Sequence, residues 1–502
     1  MHVLVGPEPL TPEQVLAVAR EDVPVELSPA AIDAMTTSRE QVEALAAADR
    51  PAYGISTGFG ALATTHIPVE RRADLQRSLI RSHAASSGAV VERDVVRAMM
   101  LLRLRTLASG RTGVRPVVAE RLATLLNEGI TPVVREFGSL GCSGDLAPLA
   151  HVALTLMGEG ERAAAAQAAG IEPVELAEKE GLALINGTEG MLGMLLLSIH
   201  DLRALVVHAD IAAAMSAEAL LGTDRVFADD LQRLRPQPGQ AISAANMRAV
   251  LNGSGIVASH AGPDDPRVQD AYSLRCAPQV AGAMRDTIEH ADRVAWHELA
   301  ATIDNPVVLP DGRVESNGNF HGAPIGYVLD FLAIAAADLA SISERRTDRM
   351  LDRNRSHGLP PFLAAEPGVD SGHMIAQYTQ VGIVSEMKRL AVPASVDSIP
   401  SSAMQEDHVS MGWSAGRKLR RSVDGLTRVL AIELLTAARA LDLRAPLEPS
   451  PATAAAVAAL RSNGIEGAGP DRYLAPEIEA AVVAVRDGEL RAAVEAVTGT
   501  MH

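Results

Sequence analysis

The sequence predicts a mainly α-helical fold, and three observations carry that expectation. Leu and Ala dominate a composition with only 3% aromatic residues, and neither side chain loses much rotamer freedom in a helix. Five long stretches, 191–221, 277–301, 324–351, 372–390 and 408–443, read as helices. None could bury an apolar stripe alone, so they must lie side by side. Glycine, by contrast, is dense over 138–144, a segment that cannot be a regular helix and must be a loop.

Taken in order, residues 2–5 and 24–27 read as short strands, and 74–82, 92–107 and 116–126 as helices. The last has Pro116 in its first turn and Gly129 beyond its end, the expected asymmetry. After the glycine-rich loop, Asp145 stands at the N-cap position of an apolar helix, 146–157, which Gly158 closes. Residues 307–314, around Pro310-Asp311-Gly312, read as a small hairpin. Two terminal helices, 452–461 and 478–497, flank a Gly/Pro-rich stretch at 464–470. There is no internal repeat. Residues 1–205 are expected to form a loop-bearing domain that carries the chemistry, and 206–502 a long-helix bundle with a C-terminal helical domain.

Composition excludes several function classes. At 47% hydrophobic and 21% charged residues, the chain is that of a globular protein rather than a disordered one. A formal net charge of -17 repels phosphate backbones, which argues against nucleic-acid binding. The run Arg417, Lys418, Arg420, Arg421 therefore reads as a solvated or ion-paired helix face. Two cysteines, Cys142 and Cys276, are too few for a disulfide framework and suit a reducing cytoplasm. The N-terminus MHVLVGPEPL has neither a basic n-region nor a long apolar run. Segment 191–199 is too short to span a bilayer, and 327–342 is interrupted by Asp330 and Asp338. No membrane role is expected.

Three motif matches fail on inspection. Gly141-Cys142-Ser143-Gly144-Asp145 lacks the closing Gly of a nucleophile elbow. Gly58-Phe59-Gly60-Ala61-Leu62-Ala63 has no strand before it and no acidic residue about twenty positions on, as a dinucleotide fingerprint requires. His297-Glu298 opens a zincin-like run, but Ala301 occupies the second His position. No metal site is expected.

The segment Gly138-Ser-Leu-Gly-Cys-Ser-Gly-Asp-Leu-Ala-Pro-Leu-Ala-His151 resembles, almost residue for residue, the signature of the histidine/phenylalanine/tyrosine ammonia-lyase family. In that family an Ala-Ser-Gly tripeptide cyclises into a methylidene-imidazolone (MIO). Here the tripeptide is Cys142-Ser143-Gly144. The Gly144 nitrogen would attack the carbonyl carbon of residue 142, which needs an unhindered, sharply bent backbone. Two waters leave, one of them from the Ser143 side chain, and the exocyclic carbon is the electrophile. Residue 142 lends its carbonyl and alpha carbon to the ring, so Cys is compatible there.

The resemblance covers essentially the whole chain, with motifs in the family's order. Tyr53-Gly-Ile-Ser-Thr-Gly-Phe-Gly60 looks like the loop of the catalytic tyrosine, although the family more often has Asn where Ser56 stands. Ile185-Asn186-Gly187-Thr188 matches the motif whose Asn contacts the substrate's amino-acid moiety; the next residue is often Gln, here Glu189. Gln269-Asp-Ala-Tyr272-Ser-Leu-Arg275 resembles the segment that binds the substrate carboxylate and contacts the MIO. Gly318-Asn-Phe320-His321 and Met404-Gln-Glu406-Asp-His408 resemble two further active-site stretches. The resemblance implies an aspartase/fumarase-like helical fold and a homotetramer whose sites are each built from three chains. It implies no cofactor besides the MIO.

Two features select histidine within that family. Ser82-His83 occupies the side-chain selector, where tyrosine enzymes tend to show His-Leu and phenylalanine enzymes Phe-Leu. Glu406 stands where aryl-specific members carry a neutral amide, and a buried carboxylate wants the N–H that an imidazole supplies. The implied reaction is deamination of L-histidine to trans-urocanate and ammonia, the first step of histidine degradation, with tyrosine or phenylalanine lyases and aminomutases as the related alternatives. Tyr53 as phenolate would take the beta-proton, Arg275 with Asn186 would hold the carboxylate, and His83 and Glu406 would hold the imidazole. Two alternatives of other classes remain: a hydrolase using Ser143 or Cys142 with His151, and a helical scaffold without activity.

Overall fold

A computed structural model describes residues 2–47, 54–58, 62, 64–262 and 268–502. The chain is mainly helical and divides into two compact units that alternate along the sequence. The first comprises Met1–Ser198, Ala291–Asp330 and Pro393–Arg417; the second comprises Ile199–His290, Phe331–Val392 and Lys418–His502. The five long helices expected from the sequence are present as Glu189–Ala219, Ala277–Ala300, Ala323–Leu351, Met374–Leu390 and Gly412–Asp442. Two helical stretches, Glu180–Ala219 and Ala323–Leu351, have the length and composition to cross a membrane, but 78% and 61% of their apolar windows is buried inside the protein. That burial is what core helices require.

The first unit opens with a parallel strand pair, Val3–Val5 with Val25–Leu27, joined by the helix Pro12–Arg20. Thr11 begins that helix with a capping box: its hydroxyl accepts from the Gln14 amide, and the Gln14 side chain accepts from the Thr11 amide. Ser28 caps the next helix, Pro29–Ala46, in similar fashion. Neither helix is among those expected from the sequence, although Thr11-Pro12 and Ser28-Pro29 are both start signals. A short antiparallel pair, Ser87–Val90 with Arg135–Phe137, and a two-residue ladder, Val307–Val308 with Val314–Glu315, complete the strands of this unit among the described residues.

At its centre lies the helix Arg93–Ala108, buried at every position from 95 onward, three arginines included. An unpaired buried guanidinium would be costly. Each of the three instead donates to backbone carbonyls at the ends of other helices. Arg97 bonds Val18 O and Leu126 O, Arg103 bonds Ala183 O, Asn186 O and Ile303 O, and Arg105 bonds Ala301 O and Ala300 O. The last carbonyls of a helix have no partner within it and carry partial negative charge, so each cation meets several orphaned acceptors.

The second unit is built from the remaining lengths of the long helices and the helices Pro238–Leu251, Pro451–Ser462, Ala475–Arg486 and Glu489–Thr498. Buried Glu433 ties three segments together, accepting from Arg346 through both guanidinium branches (2.5 and 2.8 Å), from Ser216 Oγ (2.7 Å) and from Ser343 Oγ (2.5 Å). The single helix expected over 478–497 is two helices. Gly488 adopts φ +74° between them, a left-handed residue that ends one helix and starts the next.

Candidate active site

Four segments that the sequence analysis singled out meet within the first unit, and the Cys142-Ser143-Gly144 loop is their common neighbour. On its N-terminal side, Gly141 O accepts from Ser410 Oγ (2.6 Å) and from the Gly322 amide (2.8 Å). On its C-terminal side, the Asp145 amide donates to Gly187 O at 2.7 Å. Gly144 adopts φ +77°, and a Cβ there would lie 2.3 Å from Gly187 O and 2.4 Å from Gly187 N. Only glycine satisfies both constraints. The backbone that MIO closure requires, bent and free of side chain at residue 144, is therefore the backbone present, and the tripeptide fits that group.

Asp145 begins the helix Leu146–Leu156 as expected, but its side chain makes no cap bond there. It accepts instead from Met191 N (2.9 Å), in the first turn of Glu189–Ala219, and from Ser139 Oγ (2.8 Å). The carboxylate thus sits at the positive end of a much longer helix. Complete burial still pushes its pKa up to about 7, against the pull of those hydrogen bonds.

Ser143 Oγ donates to Glu406 Oε1 at 3.2 Å, and Ser401 Oγ donates to Glu406 Oε2 at 2.9 Å. Backbone bonds between Ser401 and Glu406 close the loop that presents this carboxylate. Within it, Ser402, Ala403 and Met404 all have positive φ (48°, 53° and 69°), a strain of roughly 1–2 kcal/mol per non-glycine residue. Three such residues in succession next to a candidate site mark a loop whose shape serves something other than stability.

His83 ends the helix Arg72–His83. Its Nδ1 lies 2.9 Å from Leu79 O, which fixes the proton on that nitrogen and leaves Nε2 as an acceptor in the neutral ring. Burial pushes its pKa down; the Leu79 bond and the nearby Glu406 charge push the other way. Ser82 Oγ donates to Leu79 O and lies 3.1 Å from His83 Nδ1, so it braces His83. Half-buried Phe320 precedes His321, whose ring stacks on His408 with centroids 5.7 Å apart.

Asn186 is buried and its side-chain Oδ1 has no partner among the described residues. Glu189 is buried as well and accepts from Arg103 Nη2 (2.5 Å) and Thr106 Oγ1 (2.9 Å). Arg103, Ser401, Ser410 and Met191 carry no motif of their own, and the sequence analysis does not identify them.

In the second unit, Gln269, Tyr272 and Arg275 form one group. Arg275 Nη1 donates to Gln269 Oε1 at 2.7 Å, and the guanidinium carbon lies 4.6 Å from the centre of the Tyr272 ring. Tyr272 is exposed. Tyr53 lies outside the described residues.

The hydrolase alternative loses its base. His151 Nε2 is 2.7 Å from Ser86 Oγ, so its hydrogen bond goes to another serine. Burial, with the Glu406 charge second, pushes the Cys142 thiol up and disfavours a thiolate. Glu298 accepts from Thr188 Oγ1 at 2.5 Å. Among the described residues no group of three or more His, Cys, Asp or Glu side chains could hold a metal ion. The basic run is ion-paired: Arg417 bonds Glu92, and Arg420 bonds Asp201.

Comparison with known proteins agrees with this geometry. The aromatic amino acid lyase family model matches residues 10–462. A histidine ammonia-lyase of Streptomyces griseus is 66% identical, with all of both chains covered. One from Gloeobacter violaceus is 49% identical over 98% of this chain and 97% of its own. Among solved structures, a tyrosine aminomutase from Streptomyces globisporus superposes with TM-score 0.93 at 40% identity over all of both chains. A Trypanosoma cruzi histidine ammonia-lyase gives TM-score 0.90 at 36% identity, covering 99% of this chain and 96% of that one. With the family model spanning nine-tenths of its length and relatives matching it end to end, the chain belongs to the aromatic amino acid lyase family.

Proposed function

We propose that this protein is a histidine ammonia-lyase, a carbon–nitrogen lyase that converts L-histidine to trans-urocanate and ammonia as the first step of histidine degradation. The observation that carries the reading is the Ser143–Glu406 contact, in a chain 66% identical to a histidine ammonia-lyase. The cyclised Cys142-Ser143-Gly144 would supply an electrophilic carbon for the substrate amine, which ordinary side chains lack.

The chain's own residues supply binding and proton handling. Dehydration of Ser143 removes the hydroxyl that Glu406 Oε1 now accepts from. The freed acceptor suits the single N–H of a neutral imidazole, and the Nε2 of His83 nearby can pair with the other ring nitrogen when it carries a proton. A phenyl ring would leave both unpaired. Arg275, stacked on Tyr272 and bonded to Gln269, presents a planar fork for the substrate carboxylate. Asn186, with its orphaned Oδ1, assists at the amino-acid end, and Phe320 lines the ring side. Tyr53, as phenolate, takes the beta-proton. Its ordinary pKa is about 10, so helix N-termini facing the site would be needed to favour the anion.

Exposed apolar side chains on helices of the second unit, Phe331, Ile334, Ile375, Tyr378 and Val381, support self-association, and a homotetramer is the assembly proposed. The exposed Tyr272 group then serves a site shared between copies. Two free cysteines are consistent with a cytoplasmic location. Intact mass together with a spectrophotometric assay for urocanate tests the reading: the wild-type chain should be lighter than its sequence by two waters and turn over L-histidine. A full-mass chain with no turnover would defeat it.

A further inference from the structure

Arg103 and Glu189 lie beneath the site without reaching it, and no motif marks Arg103. Arg103 is fully buried, and its two terminal nitrogens serve four acceptors. Nη1 donates to Ala183 O and Asn186 O (both 3.1 Å), and Nη2 to Glu189 Oε1 (2.5 Å) and Ile303 O (2.8 Å). Thr106, one turn further along the same helix, donates to the same Glu189 oxygen at 2.9 Å. The turn from Asn186 to Glu189 is thus held at both ends by one guanidinium.

That turn is the wall against which Gly144 rests. A Cβ on Gly187 would fall 2.2 Å from Glu189 Oε2 and 2.7 Å from Arg103 Nη2, so the ion pair backs directly onto Gly187. The opposite side of Gly187 takes the Asp145 amide and abuts Gly144. Two oxygens of the turn, Asn186 Oδ1 and Glu189 Oε2, are buried with no partner among the described residues. A turn optimised for stability alone would satisfy them.

From this arrangement we propose that Arg103 and Glu189 are positioning residues: they hold the Asn186–Glu189 turn in the register that seats Gly144 for ring closure and aims the Asn186 side chain at substrate. The inference rests on the lyase reading above. A Lys at 103 keeps the charge but cannot span the four acceptors, since a single ammonium lacks the guanidinium's planar fork.

The test compares wild type with Arg103→Lys, Glu189→Leu and a control, Arg97→Lys, whose guanidinium is equally buried but serves Val18 O and Leu126 O. Each full-length variant is measured for Tm, for the fraction lighter by two waters, and for kcat and KM with L-histidine. The expected result is a folded Arg103→Lys and Glu189→Leu with incomplete dehydration, and roughly 10²-fold lower kcat per dehydrated site, the loss that a small misplacement near the chemistry produces. Arg97→Lys should lose Tm to a similar degree yet dehydrate fully and keep its kcat. Should Arg103→Lys or Glu189→Leu fail to fold, Thr106→Val, which removes the second donor to Glu189 Oε1, provides the arm, and it must then show a raised KM or a partial mass deficit. Full dehydration with wild-type kcat and KM in the 103 and 189 variants overturns the proposal, as does equal impairment in Arg97→Lys. A wild-type chain at full mass overturns the lyase reading and this inference with it.

Discussion

Ser143 and Glu406, 263 residues apart in sequence, share a hydrogen bond of 3.2 Å in which the serine donates. In the proposed lyase that carboxylate oxygen would serve twice, first toward the hydroxyl that leaves and then toward the substrate ring. Ser143→Ala should abolish both the two-water deficit and all turnover. Glu406→Gln still accepts from Ser143, so dehydration should proceed. Turnover should nevertheless fall, because a hydrogen bond to a charged group contributes about 1.5–3 kcal/mol, or roughly tenfold to a hundredfold in kcat/KM. Intact mass and steady-state kinetics on the same preparations separate the two effects, and a Glu406→Gln enzyme with unchanged kcat/KM would remove Glu406 from substrate binding.

Arg275→Lys retains charge but gives up the planar surface that lies 4.6 Å over Tyr272 and the donor to Gln269. A single ammonium cannot hold a carboxylate by two parallel bonds. The expected outcome is a fall in kcat/KM of about 10²-fold with unchanged thermal stability, since the group is partly exposed. Near-normal kcat/KM would place the carboxylate elsewhere.

Specificity is the most exposed consequence of the reading. With Glu406 and His83 both offering hydrogen bonds to an imidazole, wild type should prefer histidine to tyrosine and phenylalanine by roughly 10⁴–10⁵ in kcat/KM, the discrimination available to a site that hydrogen-bonds its substrate. The pair Ser82→Phe with His83→Leu should narrow that gap, losing histidine turnover and admitting phenylalanine. Comparable rates on all three amino acids by the wild type would mean the right family and another substrate.

Two buried histidines make the fold acid-sensitive. Burial holds His208 at about 4, and burial with Arg439 and Arg472 holds His373 at about 3, both below the ordinary 6.5. The unfolded chain binds protons that the native state refuses. Their stabilisation is therefore complete above pH 6.5 and is lost progressively as the pH falls from there towards about 4 for His208 and about 3 for His373. A tenfold difference in proton affinity between the folded and unfolded chain is worth about 1.4 kcal/mol, so even part of this difference moves a denaturation midpoint. His373→Gln should flatten the decline in urea midpoint between pH 7 and pH 5. An unchanged pH slope would mean that His373 is not the group responsible.

The long helices were legible because each is a long stretch with no proline beyond its first turn. Predicted 277–301 and observed Ala277–Ala300 differ by a single residue. The elements that escaped are short ones whose signal lies at the ends: the helix Pro12–Arg20 is announced by Thr11 and Pro12, and the break at Gly488 by one glycine within an apolar run. The tripeptide and its companion segments were legible from resemblance; the structure brings 142–144 against Gly187 and Glu406 within those segments, and against Gly322 and Ser410 just beyond the segments 318–321 and 404–408. What supports them was not. Arg103 meets Glu189 and Ile303 across 86 and 200 residues of sequence, and no local pattern encodes such a meeting. Asp145 was placed at the right helix end, yet its carboxylate serves a different helix, 46 residues on.

The helix Arg93–Ala108 draws its acceptors from widely separated parts of the first unit's sequence. Arg97 can be satisfied once the chain has reached Leu126; Arg105 finds Pro7 O and Glu8 O, and Arg103 finds Ala183 O, Asn186 O and Glu189, but both guanidiniums are completed by carbonyls at 300–303. A chain ending before that point would bury both cations with fewer acceptors than the native helix gives them, at a cost in stability. The packing of this helix is therefore complete only when residues 300–303 are in place. Fragments ending at 198 should remain protease-sensitive throughout 93–108, whereas fragments carried to 330 should begin to protect it.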